Sequence, residues 1–173
     1  MDIISHGLYG GIAFGRKAKY SYWKAFFFGV MPDLSSFGLL FILSALTIVS
    51  GPEFGSGPPD ASKIPSFVYT LYDISHSLVV AGFVMSTVWL IRGKWMVELF
   101  AWPLHILVDI PTHSNAFFPT PFLWPLSDYE FNGVSWGHPY IFFPNVVFII
   151  LLYVWFYFSR KKQRTFDSND IGA

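Results

Sequence analysis

The sequence predicts an all-α integral membrane protein: a helical bundle of about four transmembrane helices, preceded by a short and partly inserted N-terminal helix. The 173-residue chain is 53% hydrophobic, and only 13% of its residues are charged, about half the roughly 25% typical of soluble domains. The apolar residues are also gathered into long runs, which is typical of membrane-spanning segments. We therefore expect one membrane domain at residues 1–158 and a polar cytoplasmic tail at residues 159–173.

Four apolar runs are close to the roughly 17–25 residues that a helix needs to cross a bilayer. They are Ala25–Ser50, Ile74–Ile91, Trp95–Ile110 and Tyr140–Phe158. The run Ile3–Gly15 would reach only about 20 Å as a helix, so we expect it to be inserted in part. Gly7, Gly11 and Gly15 recur every four residues along it, and such a face lets another helix approach closely. The glycines either pack within the chain or form a homo-oligomer contact.

The basic residues predict the orientation of these spans. Ten of the eleven Lys and Arg residues precede the first long span, lie between the second and third, or follow the last. If the four spans alternate, all ten lie on one side, and the opposite loops at 51–73 and 111–139 contain only Lys63. The positive-inside rule then places the basic loops and the C-terminus in the cytoplasm. The net charge of zero gives no indication of a nucleic-acid partner, and we expect membrane lipids as partners.

The segment LHILVDIPTHS at residues 104–114 places ionisable side chains in an apolar environment. His105 and Asp109 are four residues apart and would lie on one face of a helix. Pro111 is expected to end that helix, which would leave His113 in a loop near the outer surface. The spacing indicates either a metal site or a few buried, hydrogen-bonded polar groups.

Three more ionisable residues, His6, Asp33 and His76, lie in or beside the predicted apolar segments. An ionisable group in hydrocarbon costs about 2.5–3.5 kcal/mol, so such residues usually face a partner or a wet cavity. Asp33 follows Pro32, where we expect the helix to break. Because the topology puts most of these residues toward the outer leaflet, we expect them to share one polar site with the pair in the third span.

A metal at such a site would be bound by imidazole and carboxylate, because the chain contains no cysteine. This ligand set suits a divalent metal, zinc first, or manganese or iron if more oxygen ligands join. The residues that could form this shared polar site are His6, Asp33, His76, His105 and Asp109, and the pattern leaves open whether they bind a metal or only hydrogen-bond to one another.

Five short motifs occur in a recognisable order along residues 5–127. They are SHGLYGG at 5–11, MPDLSS at 31–36, ISHSL at 74–78, LHILVDIPTHS at 104–114 and LWPLS at 123–127. In this the chain resembles the YdjM-like family of bacterial membrane-bound metal-dependent hydrolases, which are small multi-span proteins of the inner membrane. The resemblance implies that these five residues, His6, Asp33, His76, His105 and Asp109, are metal ligands, and it implies a hydrolytic reaction.

Two of the motif regions depart from that pattern. Ser35 stands where the family has a second acid after Pro-Asp, and Leu71-Tyr72 replaces a His-Arg pair. These departures remove potential ligands, count against a second metal and leave an inactive member as an alternative.

The first functional hypothesis is therefore a metal-dependent hydrolase whose site opens to the outer leaflet. A metal there would activate water and polarise a phosphoryl or carbonyl oxygen. Asp33 would be a ligand or the general base, and His113 or His138 would protonate the leaving group. A lipid or lipid-linked phosphoester is the expected substrate, because it can enter sideways from the bilayer. The alternatives are a non-catalytic metal-binding or transport protein that uses the same ligands, and a scaffold whose polar core binds no metal.

Overall fold

Helices form nearly all the regular structure in the computed structural model, which describes residues 1–51 and 60–170, apart from the side chains of residues 61 and 160–170. The α-helices in these ranges are α1 Ile3–Phe14, α2 Ser21–Asp33, α3 Leu39–Ala45, α4 Ser66–Ser75, α5 Leu78–Arg92, α6 Ala101–Thr112 and α7 Pro139–Asp170. A π-helix, Leu34–Gly38, joins α2 to α3, and 3-10 turns cover Ala61–Lys63 and Val97–Phe100. The predicted all-α class is confirmed.

Two helical stretches, Ser21–Ala45 and Pro139–Ser159, are long and apolar enough to cross a membrane. The pair α4 and α5 meets the same criterion together but is bent by 58°, so it is either a broken span or a re-entrant loop. These stretches make the chain a membrane protein. The predicted third span, Trp95–Ile110, is instead a 3-10 turn followed by the 12-residue α6. A set of four spans therefore stays a prediction.

The glycine face of α1 packs against α2 of the same chain. A Cβ built at Gly7 would lie 2.6 Å from the Phe26 ring, and one built at Gly11 would lie 2.6 Å from the Tyr22 ring. At Gly15 the nearest atom of α2 is the Tyr22 Cα, at 2.5 Å. The glycines thus serve helix packing within the chain. A homo-oligomer through this face stays a prediction, and it would require α2 to move away.

Pro32 does not break the helix, contrary to the expectation from the sequence. It lies inside α2, and the chain continues from Asp33 through the π-helix into α3 without leaving a helical conformation. The carbonyl of Pro32 accepts hydrogen bonds from the hydroxyls of Ser35, Ser36 and Ser75. In membrane helices, neighbouring hydroxyls and local π-helical turns commonly provide hydrogen-bond partners for the backbone groups that a proline leaves free.

The break instead occurs at His76, between α4 and α5. A helix, α4, already starts at Ser66, within the predicted loop 51–73 and ahead of the predicted span Ile74–Ile91. Residues 52–59 of that loop lie outside the described ranges. Ser77 has an extended backbone and its hydroxyl accepts from the Val79 and Val80 amides. This N-cap supplies a partner for amides that the new helix leaves free.

The long loop before α7 folds back over the end of α6. The backbone amides of Gly133, Val134 and Trp136 donate to the carbonyls of residues 113, 111 and 112. Phe118, in the same loop, is buried and packs edge-on against the Tyr72 ring of α4. This loop therefore covers the end of the bundle at which α2, α4 and α6 converge.

Candidate metal centre

Four side chains each offer a donor atom that lies within 4.8 Å of the other three: Asp33, His76, His105 and Asp109. They come from the end of α2, the junction of α4 with α5, and α6. The side chains of the last three are completely buried, whereas that of Asp33 is 13% exposed. This group could hold a metal ion.

The spacing of the donor atoms suits a single small ion. The Nε2 atoms of His76 and His105 lie 3.1 Å apart. Asp109 Oδ2 lies 3.0 Å from His105 Nε2 and 3.7 Å from His76 Nε2. Asp33 Oδ1 lies 3.4 Å from His76 Nε2 and 4.0 Å from His105 Nε2. Tetrahedral zinc, with bonds of about 2.0–2.1 Å, places its ligands about 3.3 Å apart, so these separations bracket the expected value.

Backbone carbonyls orient both imidazole rings. His105 Nδ1 lies 2.7 Å from the Gly29 carbonyl oxygen, which can only accept, so this nitrogen carries the proton. His76 Nδ1 lies 3.1 Å from the Tyr72 carbonyl oxygen and 3.0 Å from Ser75 Oγ. The Nε2 lone pairs then point toward each other and toward two carboxylates. Second-layer carbonyl partners of this kind are usual for histidines that bind metals.

The electrostatics of the group also call for a cation. Two carboxylates removed from water are costly unless positive charge compensates them. The Met1 amino group contacts Asp109 Oδ1 and supplies one positive charge. With both imidazoles protonated on Nδ1 and therefore neutral, a metal ion in the cluster would supply the remaining positive charge. The identity of that ion, zinc, manganese or iron, stays a prediction.

Local sequence explains how each donor reaches this point. His105 and Asp109 are one turn apart on α6, as the sequence predicted. Asp33 lies immediately before the π-helix, and single π-turns within α-helices are frequent at functional sites. His76 ends α4, at the break where the chain changes direction. Two of the four donors thus lie where regular helix geometry is interrupted.

The remaining predicted site residues have different positions. His6 is buried and its ring stacks on that of His105 with centroids 3.6 Å apart, but it is not one of the four converging donors. Its Nε2 lies 2.9 Å from Asp109 Oδ1. His113 follows α6, two residues beyond Pro111, and its Nδ1 lies 3.3 Å from the same oxygen. His138 is exposed just before α7, where its Nδ1 accepts from the Tyr140 amide.

Several residues that support the site were not predicted. Tyr72 stacks on His76 with centroids 3.8 Å apart, and its hydroxyl donates to the Phe118 carbonyl. The Trp102 indole N–H donates to the Ser75 carbonyl at 2.7 Å. Tyr72 could have been noticed, because it lies two residues before the ISHSL motif. The role of the Gly29 carbonyl in orienting His105 could not be predicted from the sequence, since every residue has a backbone carbonyl.

The fold and this cluster define an all-helical membrane protein with a buried His and Asp group that could hold a metal ion. No protein-family model, curated protein or solved structure matches the chain.

Proposed function

We propose that this protein is a membrane-bound metal-dependent hydrolase that acts on a lipid or lipid-linked phosphoester. The observation that carries this proposal is an apolar cavity adjoining the cluster, with Asp33 and His113 in its wall. A metal site closed off from any cavity would suit a structural role. This cluster instead reaches the apolar cavity through Asp33.

The cavity has a volume of about 270 Å³ and lies between the start of α1, the α2–α3 segment and the loop before α7. Aromatic side chains form much of its wall: Phe37, Phe41, Phe117, Phe118 and Trp136. Sites for small molecules are commonly apolar with a few well-placed polar groups. An acyl or isoprenoid segment would fit against the aromatic side chains while its phosphoester faced Asp33.

Each residue near the opening has a role in this proposal. His76, His105 and Asp109 would hold a divalent metal, for which zinc is the first choice. Such a metal, when bound, would polarise the phosphoryl oxygen and activate water. Asp33, which reaches the cavity, would complete the ligand set or accept a proton. His113, also in the cavity wall, would deliver a proton to the leaving group. His138 has no role here, because it lies exposed outside that wall.

The family resemblance and the membrane arrangement belong to the same proposal. Four crossings, with the short α6 counted as one, would place the basic loops in the cytoplasm and the cavity toward the outer leaflet. The proposals of a bacterial inner membrane and of membership in the YdjM-like family rest on the five motifs alone. Ser35 does not replace the missing acid, since its hydroxyl donates to the Pro32 carbonyl at 2.7 Å.

The test is an incubation of zinc-replete protein with a broad panel of membrane lipids, read by mass spectrometry. We expect loss of a phosphoester-containing lipid, inhibited by a chelator and strongly reduced in Asp33→Asn. The matched control is Asp128→Asn, the same substitution at an exposed carboxylate. If no lipid is consumed although metal is bound, a non-catalytic ion-binding or transport role replaces the hydrolase. If the wild-type protein binds no metal, the alternative of a scaffold whose polar core binds no metal replaces the hydrolase.

A further inference from the structure

A second cavity shares part of its wall with the apolar cavity described above. It has a volume of about 250 Å³ and lies between α4 and the loop before α7. Phe117 and Phe118 are the described residues that belong to both walls. The rest of the second wall includes the polar side chains of Asp73, Asn115 and Glu130, and none of its described residues is a lysine or an arginine. We call it the acidic cavity.

The carboxylates of the acidic cavity are close enough to act on one another. Burial and the neighbouring carboxylates of Asp73 and Asp128 raise the pKa of Glu130. Because the described part of the wall supplies no basic side chain, the acidic cavity has a negative potential.

The carboxylates of the apolar cavity have partners of their own. Asp2 accepts from the Ser5 amide at 2.9 Å and from the Ser5 hydroxyl at 2.6 Å. Asp33 Oδ1 lies 3.4 Å from His76 Nε2, within the candidate metal centre. The two cavities therefore present different electrostatic environments, although aromatic side chains alone lie in both of their described walls.

Phe118 is held firmly in this shared wall. Its carbonyl accepts from the Tyr72 hydroxyl at 3.0 Å, and its ring stacks on Tyr69 and packs edge-on against Phe37. Its backbone φ of 47° is in the left-handed region, which costs free energy for a residue with a Cβ and favours glycine. A glycine would satisfy the backbone without that cost, so the turn gives no reason for a phenylalanine. The reason must be the ring.

We propose that Phe118 is a specificity-determining residue whose ring separates the two cavities, so that an anionic phosphoester binds beside Asp33 in preference to a cationic amphiphile. Charges interact more strongly in a low-dielectric site than in water. Without the ring, Asp73 and Glu130 would face the same ligand, and they would repel a phosphate and attract an amine. The choice of ligand rests on the proposed function, whereas the separation of the cavities does not depend on hydrolysis.

The experiment compares two probes that have the same short hydrocarbon chain and opposite charge, hexyl phosphate and hexylamine. Their affinities for the zinc-replete full chain in detergent are measured by isothermal titration calorimetry. We expect the ratio of phosphate affinity to amine affinity to fall at least about tenfold in Phe118→Gly, since glycine suits the backbone at this position. Phe118→Leu keeps an apolar side chain without the ring. It should shift the ratio in the same direction, and it replaces Phe118→Gly if that variant fails to fold.

Two further sets of variants separate charge from stability. Val68→Ala is the matched control, because Val68 is fully buried in the same apolar cluster as Phe118 but lies in neither cavity wall. It should lower the melting temperature and leave the ratio unchanged. Adding Asp73→Asn and Glu130→Gln to the Phe118 variant should restore the ratio, whereas the same pair in the wild type should change it little. Such a cycle isolates the coupling across the wall.

The outcomes distinguish this proposal from the proposed function when lipid hydrolysis is measured in parallel. An unchanged ratio in the Phe118 variants, in a protein that consumes lipid, would refute the role of Phe118 alone. A shift that the two neutral substitutions fail to restore would also overturn it, because the carboxylates would then not be the cause. A shifted and restored ratio without lipid consumption would support the role of Phe118 and count against the hydrolase. A wild type that binds neither probe would refute the specificity proposal.

Discussion

Replacing Gly29 by alanine should disturb the metal centre, although Gly29 lies on α2, which contributes none of the histidines. A Cβ at this position would lie 2.6 Å from the His6 carbonyl oxygen and 3.2 Å from the Gly7 Cα. These are backbone atoms of α1, which cannot rotate aside. The Gly29 carbonyl also accepts the hydrogen bond that orients His105. The substitution therefore acts on the spacing between α1 and α2 and on a metal ligand together.

The size of the effect follows from this geometry. Ordinary contact begins at 3.4 Å, so α1 must move by about 0.8 Å relative to α2 to restore it. Overpacking costs about 1–3 kcal/mol, and the upper end applies because the neighbours are backbone atoms. Alanine recovers about 1 kcal/mol of helix propensity. The net loss of about 2 kcal/mol corresponds to a melting temperature lower by about 4–8 °C. Displacing the Gly29 carbonyl, which accepts the hydrogen bond from His105 Nδ1, should weaken metal affinity about 10–100-fold.

Gly82→Ala is the matched control. Gly82 lies inside α5, and a Cβ there would have nothing within 4 Å. The same gain in helix propensity, about 1 kcal/mol, should raise the melting temperature of this variant by about 2–4 °C and leave its metal affinity unchanged. The assay is thermal unfolding in detergent with and without Zn²⁺, together with zinc affinity by competition with a chelator. Equal melting temperatures and equal zinc affinities for the two variants would show that close packing of α1 on α2 does not position the site.

The remaining predictions concern topology, metal binding and pH. Because the chain has no cysteine, a single Asp128→Cys should react with a membrane-impermeant thiol reagent in intact cells and Lys17→Cys should not; the opposite pattern would reverse the orientation. Asp109→Ala should lose nearly all bound zinc by elemental analysis while His138→Ala keeps it, and stoichiometric zinc in Asp109→Ala would exclude the assigned centre. Burial and two neighbouring aspartates raise the pKa of Glu130. A raised pKa in the folded state means that the protonated form stabilises the fold and that this stability is lost as pH rises through the folded pKa. Glu130→Gln should therefore raise the melting temperature slightly at about pH 7 and hardly at about pH 4; equal changes at both would contradict this.

Much of the site could be predicted because its residues are conspicuous in apolar sequence. His105 and Asp109 have helical spacing, and a helix forms there. The cost of isolated charges in hydrocarbon predicted that Asp33 and His76 would lie near this pair, and their donor atoms converge with it. The prediction succeeded because desolvation acts on residue type, whatever the details of the fold.

The parts that could not be predicted depend on contacts between distant segments. Pro32 lies inside a helix, and its carbonyl accepts from three hydroxyls, one of them from Ser75 in α4. The helix breaks at His76, where the Leu78 amide bonds to the Phe122 carbonyl far along the chain. Proline and serine in a sequence indicate only the local backbone preference. Here hydrogen bonds to residues distant in the sequence decided where the helix ended. His138 has the same residue type as the ligands, but the fold leaves it on the exterior.

The shortness of α1 and α6 has a consequence for the surrounding bilayer. Each helix has 12 residues and is about 18 Å long, against a hydrocarbon thickness of about 30 Å. Ile4 on α1 and Leu107 on α6 are both exposed. Both helices would therefore contact lipid, although each is shorter than the thickness of the hydrocarbon layer. Such hydrophobic mismatch is relieved when the bilayer thins locally. Thinning would lower the ester and phosphate groups of nearby lipids toward Asp33, so that the buried donors could meet a headgroup without extending into water.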